Sequence, residues 1–358
     1  MRSKEKKRLL VLRYRFIGDT ILTIPFLRNL RRAEPQAHIA WLVAPGSSDI
    51  VKGIPYVDEL IYWDPVTIHA DSRGTHRSLA DKWAFIRGLR SMRFDKAYVL
   101  KRSLSSAIIA WLSGASERIG FDTECRGFFL TKRVPYRHDQ HEVQNFLDVL
   151  RADNITIRDD YLEAWLTDSE RAFADNFLMQ SGFTDKQKII ALHPFTANPP
   201  RAWHLDNFIE LANRLQEKYC ARVLIFGGKR DSSHIEYLKG KISPEPVMVV
   251  GTTTLRESMA LLERCSLLVC NDSGIMHLAA AMQIPLVALF GPQSPVKFGP
   301  WGEKCRVLYK AYPCSPCKQK FFKECKPTDR MSPECVEAIR VGEVIEEIEK
   351  FGGLLDAR

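Results

Sequence analysis

The 358-residue chain is 45% hydrophobic and 27% charged, an ordinary globular composition that excludes bulk disorder and fibrous architectures. Its length exceeds what one hydrophobic core usually serves, about 250–300 residues, so two domains are expected. The net charge of +9 is uneven: residues 1–137 hold 25 Lys+Arg and 13 Asp+Glu, a net of +12, whereas the remainder holds 27 and 30, a net of −3. A basic half suits an anionic partner such as nucleic acid, an acidic membrane surface or an acidic substrate, and its alternative is a solvated basic surface.

The start, MRSKEKKRLLVLRYRF, is basic, but Arg13 and Arg15 cut short its apolar stretch, so it reads as a buried strand and not as a signal peptide. No apolar run approaches the roughly 20 residues of a membrane span, and a soluble, cytoplasmic protein is expected. RLLVLRY (8–14) is followed by a helical pattern over 19–32, with Ile21, Leu22, Phe26 and Leu30 inward. HIAWLVAP (38–45), DELIYW (58–63) and DKAYVLK (95–101) read as strands, and the polar stretch 64–80 as an exposed loop. Residues 161–178 contain the interdomain connection and a leading helix.

From Ile189 onward, apolar runs at 189–194, 221–228, 247–251, 266–272 and 285–291 alternate with helical patterns at 205–219, 232–240, 255–265 and 274–282. Uniformly apolar strands separated by helices of about ten residues define a parallel sheet covered on both faces. The tail 341–351 is an amphipathic helix, and no repeat of 20–50 residues occurs. Two doubly wound α/β domains are the simplest arrangement, and in such sheets ligands bind beyond the carboxyl ends of the strands.

Four strand-to-helix turns therefore matter. In RYRFIGDTILTIP (13–25), Asp19 can cap the following helix or present a carboxylate to a ligand. In LHPFTANPPRAWHLDNF (192–208), Thr196, Asn198 and Arg201 suit a phosphate, the alternative being an Asn-Pro-Pro turn with a surface arginine. FGGKRD (226–231) lacks the full G-x-G-x-x-G, and its glycines could serve tight packing alone. VCNDSGIMHLAAA (269–281) carries the strongest signal. Ser273 and the amides that open the next helix form an anion site, His277 lies one turn on along the same face, and Ala279–Ala281 allow close approach to the sheet.

Nine cysteines divide into five scattered ones (Cys125, Cys220, Cys265, Cys270, Cys305) and Cys314-x2-Cys317-x7-Cys325-x9-Cys335. The first pair of the cluster resembles a structural zinc site, but reduced thiols without a metal are the default reading, an iron–sulfur cluster is a further alternative, and no catalytic role is expected there.

IGDTILTIPFLRNLR (17–31), LHPFTANPPRAW (192–203), GTTTLRESMALLERC (251–265) and NDSGIMHLAAAMQIPLVALFGP (271–292) together resemble the ADP-heptose:lipopolysaccharide heptosyltransferases, glycosyltransferase family 9. The resemblance spans nearly the whole chain. It implies a GT-B architecture, two Rossmann-like domains facing across a cleft: an acceptor-binding domain at 1–165, a nucleotide-sugar domain at 166–340 with a Cys-rich excursion at 312–336, and a C-terminal helix at 341–358. It implies an inverting transfer of a heptose from an ADP-sugar to a lipopolysaccharide core, without metal or other cofactor, at the inner face of the inner membrane. Asp19 would be the general base, and Thr196, Arg201, Asp272, Ser273, Gly274 and His277 would hold the donor. The chain departs from the family pattern at Arg201, where Lys is common, at Phe195, where Gly is frequent, and at His204, where Pro often follows Trp. Those departures bear on the donor more than on the reaction. Two alternatives are a transferase with another donor and acceptor, and a basic nucleic-acid-binding protein, which would leave the two Rossmann-like halves unexplained.

Overall fold

In the computed structural model the described residues are 6–64, 76, 78–184, 187–317, 325, 328–330 and 332–355. The chain divides into two compact units at Trp165 and Leu166.

The first unit is built from β1 (Arg8–Leu12), α1 (Ile17–Leu22), α2 (Ile24–Ala33), β2 (His38–Val43), β3 (Glu59–Tyr62), α3 (Leu79–Ser91), β4 (Lys96–Val99), α4 (Leu104–Leu112), β5 (Glu117–Phe121), β6 (Lys132–Val134) and α5 (Glu142–Ala152). Its strands form one parallel sheet in the order β3-β2-β1-β4-β5-β6. Leu9 to Leu12 of β1 and Ile39 to Val43 of β2 are buried, as central strands covered by helices on both faces must be.

The second unit comprises α6 (Asp168–Gln180), β7 (Ile189–His193), α7 (Leu205–Tyr219), β8 (Arg222–Gly227), β9 (Val247–Val250), α8 (Leu255–Glu263), β10 (Leu267–Asn271), α9 (Gly274–Ala281), β11 (Leu286–Phe290), β12 (Cys305–Tyr309) and α10 (Val341–Glu349). Its sheet is again parallel, ordered β12-β11-β10-β7-β8-β9. Phe208, Leu211, Ala212 and Leu215 of α7 are buried, the face that their helical spacing predicts.

Several elements differ from the sequence expectation. The helix expected over 19–32 starts at Ile17 and is two helices, α1 and α2, meeting at Thr23. Pro25 has no N–H to give to the Ile21 carbonyl four residues back, and at the same junction the Thr23 hydroxyl donates to the Asp19 carbonyl at 2.7 Å. The helix expected over 232–240 is a 3₁₀ stretch, Lys229–His234, followed by the short turn Ile235–Leu238. Of that segment only Leu238 is buried, too little apolar surface to hold a longer helix. Part of the loop expected over 64–80 belongs to α3, and residues 65–75 and 77 lie outside the described residues.

One buried ion cluster ties the first unit's C-terminal segment to α2. Arg28, with a side chain wholly out of solvent, donates through Nε to Asp159 Oδ1 at 2.5 Å and through Nη2 to the Tyr161 carbonyl at 2.6 Å; it also pairs with Glu163. Its guanidinium stacks on the Tyr161 ring at 3.6 Å. Arg28→Ala would strand two carboxylates at the edge of the core. It should destabilise the protein by about 3–5 kcal/mol, measured as a loss in denaturant-unfolding free energy.

Candidate functional site

Each sheet changes direction once. The chain runs outward from β1 through β2 to β3, then returns to lay β4 on the other side of β1. The second unit repeats this with β7, β8 and β9, and β10 then pairs β7. Beyond the carboxyl ends of β1/β4 and β7/β10 the loops diverge to opposite faces and leave a crevice, the position where open α/β sheets bind ligands. Both sets of site residues sit at these two reversals.

In the first unit Asp19 is the third residue of α1. Its Oδ2 accepts from the Phe16 amide at 2.9 Å, so it caps the helix by reaching back, and its Oδ1 pairs with Arg13, which follows β1. Both side chains are largely buried. The cap and the carboxylate aimed at a ligand are thus the same group. From β4, Lys101 and Arg102 arrive beside it. The Lys101 amide is held by the Leu12 carbonyl at 3.2 Å, and the Lys101 ammonium lies 5.1 Å from the centre of the Tyr14 ring. Burial, and then the neighbouring Arg13, push the Lys101 ammonium down to about 8; Arg15 and Arg102 act in the same direction, and Asp19 opposes them. Sequence inspection singled out neither Lys101 nor Arg102. Their only signal was two cations directly after an apolar strand.

In the second unit, the turns after β7 and β10 converge. Asn271, fully buried at the end of β10, donates to the Pro194 carbonyl at 2.8 Å and accepts from the Trp203 amide at 3.0 Å. That clamp fixes the segment carrying Thr196 and Arg201 against the segment carrying Asp272, Ser273 and Gly274. Arg201 Nη1 stands 3.1 Å from Asp272 Oδ2. Burial pushes the Asp272 carboxyl up from its ordinary 3.8 to about 6, with Arg201 pulling the other way. Thr196 shapes its own turn, its hydroxyl accepting from the Asn198 amide at 3.3 Å.

Ser273 caps α9 by position, but its hydroxyl makes no bond to the helix; it lies 3.4 Å from His193 Nδ1 at the end of β7. The Met276 amide donates to the Ser273 carbonyl at 3.2 Å, and the amides of Gly274 and Ile275 open the helix without a side-chain cap, the kind of helix start that receives an anion. Crowding holds the His193 imidazole neutral and drives its pKa down to about 4, against a weaker pull from Asp231. His277 is buried one turn into α9. His193 was read from the sequence only as the end of a strand; its place beside Ser273 needs the β7–β10 pairing.

Gly227 packs under Phe195: a Cβ there would come within 2.7 Å of the Phe195 ring, which itself stacks on His234. The first glycine of FGGKRD serves close packing, and it makes room for the bulky residue at 195.

Among the scattered cysteines, Cys265 and Cys270 are buried and Cys125 and Cys220 exposed. The cluster gathers on the turn after β11. The Cys317 amide donates to the Pro292 carbonyl at 2.9 Å, and the Cys335 thiol lies against Gly291. Burial pushes the Cys335 thiol up to about 12. Among the described residues no three His, Cys, Asp or Glu side chains are set to hold a metal ion. Much of the excursion, residues 318–324, 326, 327 and 331, lies outside the described residues.

Two parallel Rossmann-like units with sites at their sheet reversals define the GT-B class of glycosyltransferase. The model of glycosyltransferase family 9 (heptosyltransferase) matches residues 82–326, and the chain belongs to that family. It is similar to lipopolysaccharide heptosyltransferase 2 of Escherichia coli, with 28% identity over 316 residues, covering 84% of this chain and 87% of the relative. Its fold matches the crystal structure of a family 9 glycosyl transferase from Veillonella parvula with a TM-score of 0.84 and 26% identity, over 98% of this chain and 97% of that one. It also matches the structure of Escherichia coli ADP-heptose lipopolysaccharide heptosyltransferase II, with a TM-score of 0.76 and 23% identity, over 98% of each chain. Membership in an enzyme family replaces the nucleic-acid-binding alternative. No helix among the described residues is long and apolar enough to cross a membrane.

The raised Asp272 carboxyl has a measurable consequence. Its pKa in the fold, about 6, lies above its unfolded value, so ionising it costs stability; the cost is absent below about pH 4 and complete above about pH 6. Asp272→Asn removes that titration. Wild type should lose about 3 kcal/mol relative to Asp272→Asn between pH 4 and pH 7, read from urea unfolding of both proteins at each pH.

Proposed function

We propose that this protein is an inverting glycosyltransferase that moves a heptose from an ADP-sugar to a hydroxyl of a lipopolysaccharide-core glycolipid. The observation that carries the reading is the corner where Arg201, Asp272, Ser273 and the open amide end of α9 meet at the β7/β10 reversal. A guanidinium and a helix N-terminus side by side suit a diphosphate. The similarity to curated lipopolysaccharide heptosyltransferases supplies the sugar and the acceptor class.

In this reading the acceptor hydroxyl attacks the anomeric carbon while Asp19 takes its proton, and the bond from that carbon to the diphosphate oxygen breaks with its electron pair leaving on ADP. A hydroxyl is a poor nucleophile until a carboxylate accepts its proton as the bond forms. Arg13, paired with Asp19, orients that carboxylate. Arg201 and the amides of α9 stabilise the charge that grows on the departing oxygen. Thr196 and Gly274 bring the turn backbone close to the diphosphate, and Asp272 and His277 orient the sugar and ribose hydroxyls.

With a guanidinium and a helix dipole at the leaving group, we assign no step to a metal or an organic cofactor. The acceptor belongs to the unit 1–165 and the donor to the second unit. Work on a membrane glycolipid by a chain with this net charge fits the cytoplasmic face of the inner membrane as a peripheral protein.

Asp19→Asn keeps the shape of the side chain and removes its basicity. With ADP-heptose and a lipopolysaccharide-core acceptor, kcat should fall about 10²–10⁴-fold while the donor KM stays within twofold, and EDTA should leave the wild-type rate unchanged. Wild-type turnover by Asp19→Asn would overturn the base assignment.

A further inference from the structure

The cations around Asp19 exceed what Asp19 needs. Arg13 follows β1, and Lys101 and Arg102 follow β4, so the pairing of Leu12 with Val99 brings them together across 88 residues of sequence. Arg15 adds a fourth positive charge acting on Lys101. Arg13 is engaged by Asp19, and Arg102 by the buried Glu142 at 3.5 Å, which also accepts from the Tyr136 hydroxyl at 2.6 Å. Among the described residues no carboxylate lies within ion-pair distance of the Lys101 ammonium, which lies 5.1 Å from the centre of the Tyr14 ring.

The backbone that carries this lysine is held rigidly. The Lys101 carbonyl accepts from Arg126 Nη1 at 2.9 Å, from the Ser106 hydroxyl at 2.8 Å and from the Ser103 amide at 3.0 Å. Arg126 is itself fully buried and also donates to the Phe121 carbonyl at 2.7 Å. These bonds fix the Lys101 backbone at the end of β4, so its half-buried side chain starts from a defined position beside Arg13 and Arg102. Helix α4 begins three residues later, and its positive end strengthens the same field. A half-buried ammonium held among like charges is expensive unless an anion arrives to compensate it.

We propose that Lys101, flanked by Arg13 and Arg102, forms an oxyanion subsite for the acceptor, receiving a phosphate or a sugar-acid carboxylate of the glycolipid beside Asp19. This rests on the reading that the first unit holds the acceptor. A charged group seated there fixes the glycolipid so that its reacting hydroxyl meets Asp19, and a neutral sugar of the same shape gains nothing. Burial keeps the Lys101 ammonium near pH 8, so the subsite loses its central charge in mildly alkaline solution.

The test measures binding of lipopolysaccharide-core glycolipid in detergent micelles with no donor present. Three forms are compared: intact, phosphatase-treated, and with the carboxylates reduced to alcohols. Lys101→Ala should weaken binding of the intact form about 10- to 100-fold and leave binding of one of the two modified forms equal to wild type, which identifies the group recognised. Wild-type affinity for the intact form should be flat below about pH 8 and fall above it, whereas Lys101→Arg should hold its affinity to about pH 10. An unchanged affinity in Lys101→Ala overturns the proposal, as does an equal loss on all three forms or no binding of the intact form by wild type. Because no donor is present, failure of transfer from ADP-heptose is read separately, in the turnover assay with Asp19→Asn.

Discussion

The reversal of strand order beside the first strand of each sheet is the constraint on which the rest of the molecule depends. Parallel strands must be joined by crossovers, and here the chain lays β2 and β3 on one side of β1, and β8 and β9 on one side of β7, before returning to the other side with β4 and β10. The loops on either side of that seam then depart to opposite faces, and no helix can close the gap. Asp19, Lys101, Asp272 and Ser273 have in common only that they lie immediately beyond strands bordering such a seam. Polar groups gathered there are shielded from bulk water by the strand ends beneath them yet remain open to a ligand above, which is why the strongly shifted Asp272, His193 and Lys101 occur at these positions.

The two seams solve the same problem with different materials. In the second unit a buried amide, Asn271, joins the two turns through main-chain groups, and the Arg201–Asp272 pair is set beside them. In the first unit the turns are joined through the sheet itself, with Leu12 accepting from both Leu100 and Lys101, and charged side chains fill the crevice. The +12 of residues 1–137 is thus partly concentrated at the sheet reversal and not spread evenly over a solvated surface.

How far this could be read in the sequence follows from the range of the interactions. The apolar strands and the face of α7 depend on local period and burial, and their positions were legible to within a few residues. The motif Asn271–Gly274 was legible because strand end, cap and helix start are contiguous. The break at Thr23 was written in Pro25, but the strong apolar spacing of Ile21, Leu22, Phe26 and Leu30 masked it. β12 escaped because Cys305–Tyr309 borders the sheet with half-buried residues and carries an arginine inside it, so it lacks the apolar run of its neighbours. No element was read over residues 102–160, which form α4, β5, β6 and α5, although Val143, Phe146, Leu147 and Leu150 of α5 recur at helical spacing and are buried. Lys101 and Arg102 were hidden for a different reason. Two cations after a strand look like a solvated edge until β4 is known to lie against β1.

The unlike charge of the two crevices follows from what sits on their helix ends. In the second unit α9 opens on Gly274, and Ser273 turns its hydroxyl toward His193 and away from the helix. The buried Ala279, Ala280 and Ala281 let that helix lie close to the sheet, so its first amides, those of Gly274 and Ile275, are presented at the seam without a side-chain cap. A ligand anion can be received there by backbone dipoles, which ask for no surplus of side-chain cations. In the first unit the corresponding helix end is already occupied, because Asp19 turns back to the Phe16 amide and places its own carboxylate on the positive end of α1. A second anion entering that crevice finds the dipole spent and a negative charge in its way. Only side-chain cations can make the place hospitable, and Arg13, Arg15, Lys101 and Arg102 are the groups the fold delivers to it. Placing a carboxylate at the start of α1 therefore obliges the surrounding strand ends to be basic, whereas a serine at the start of α9 leaves its own unit free to be nearly neutral.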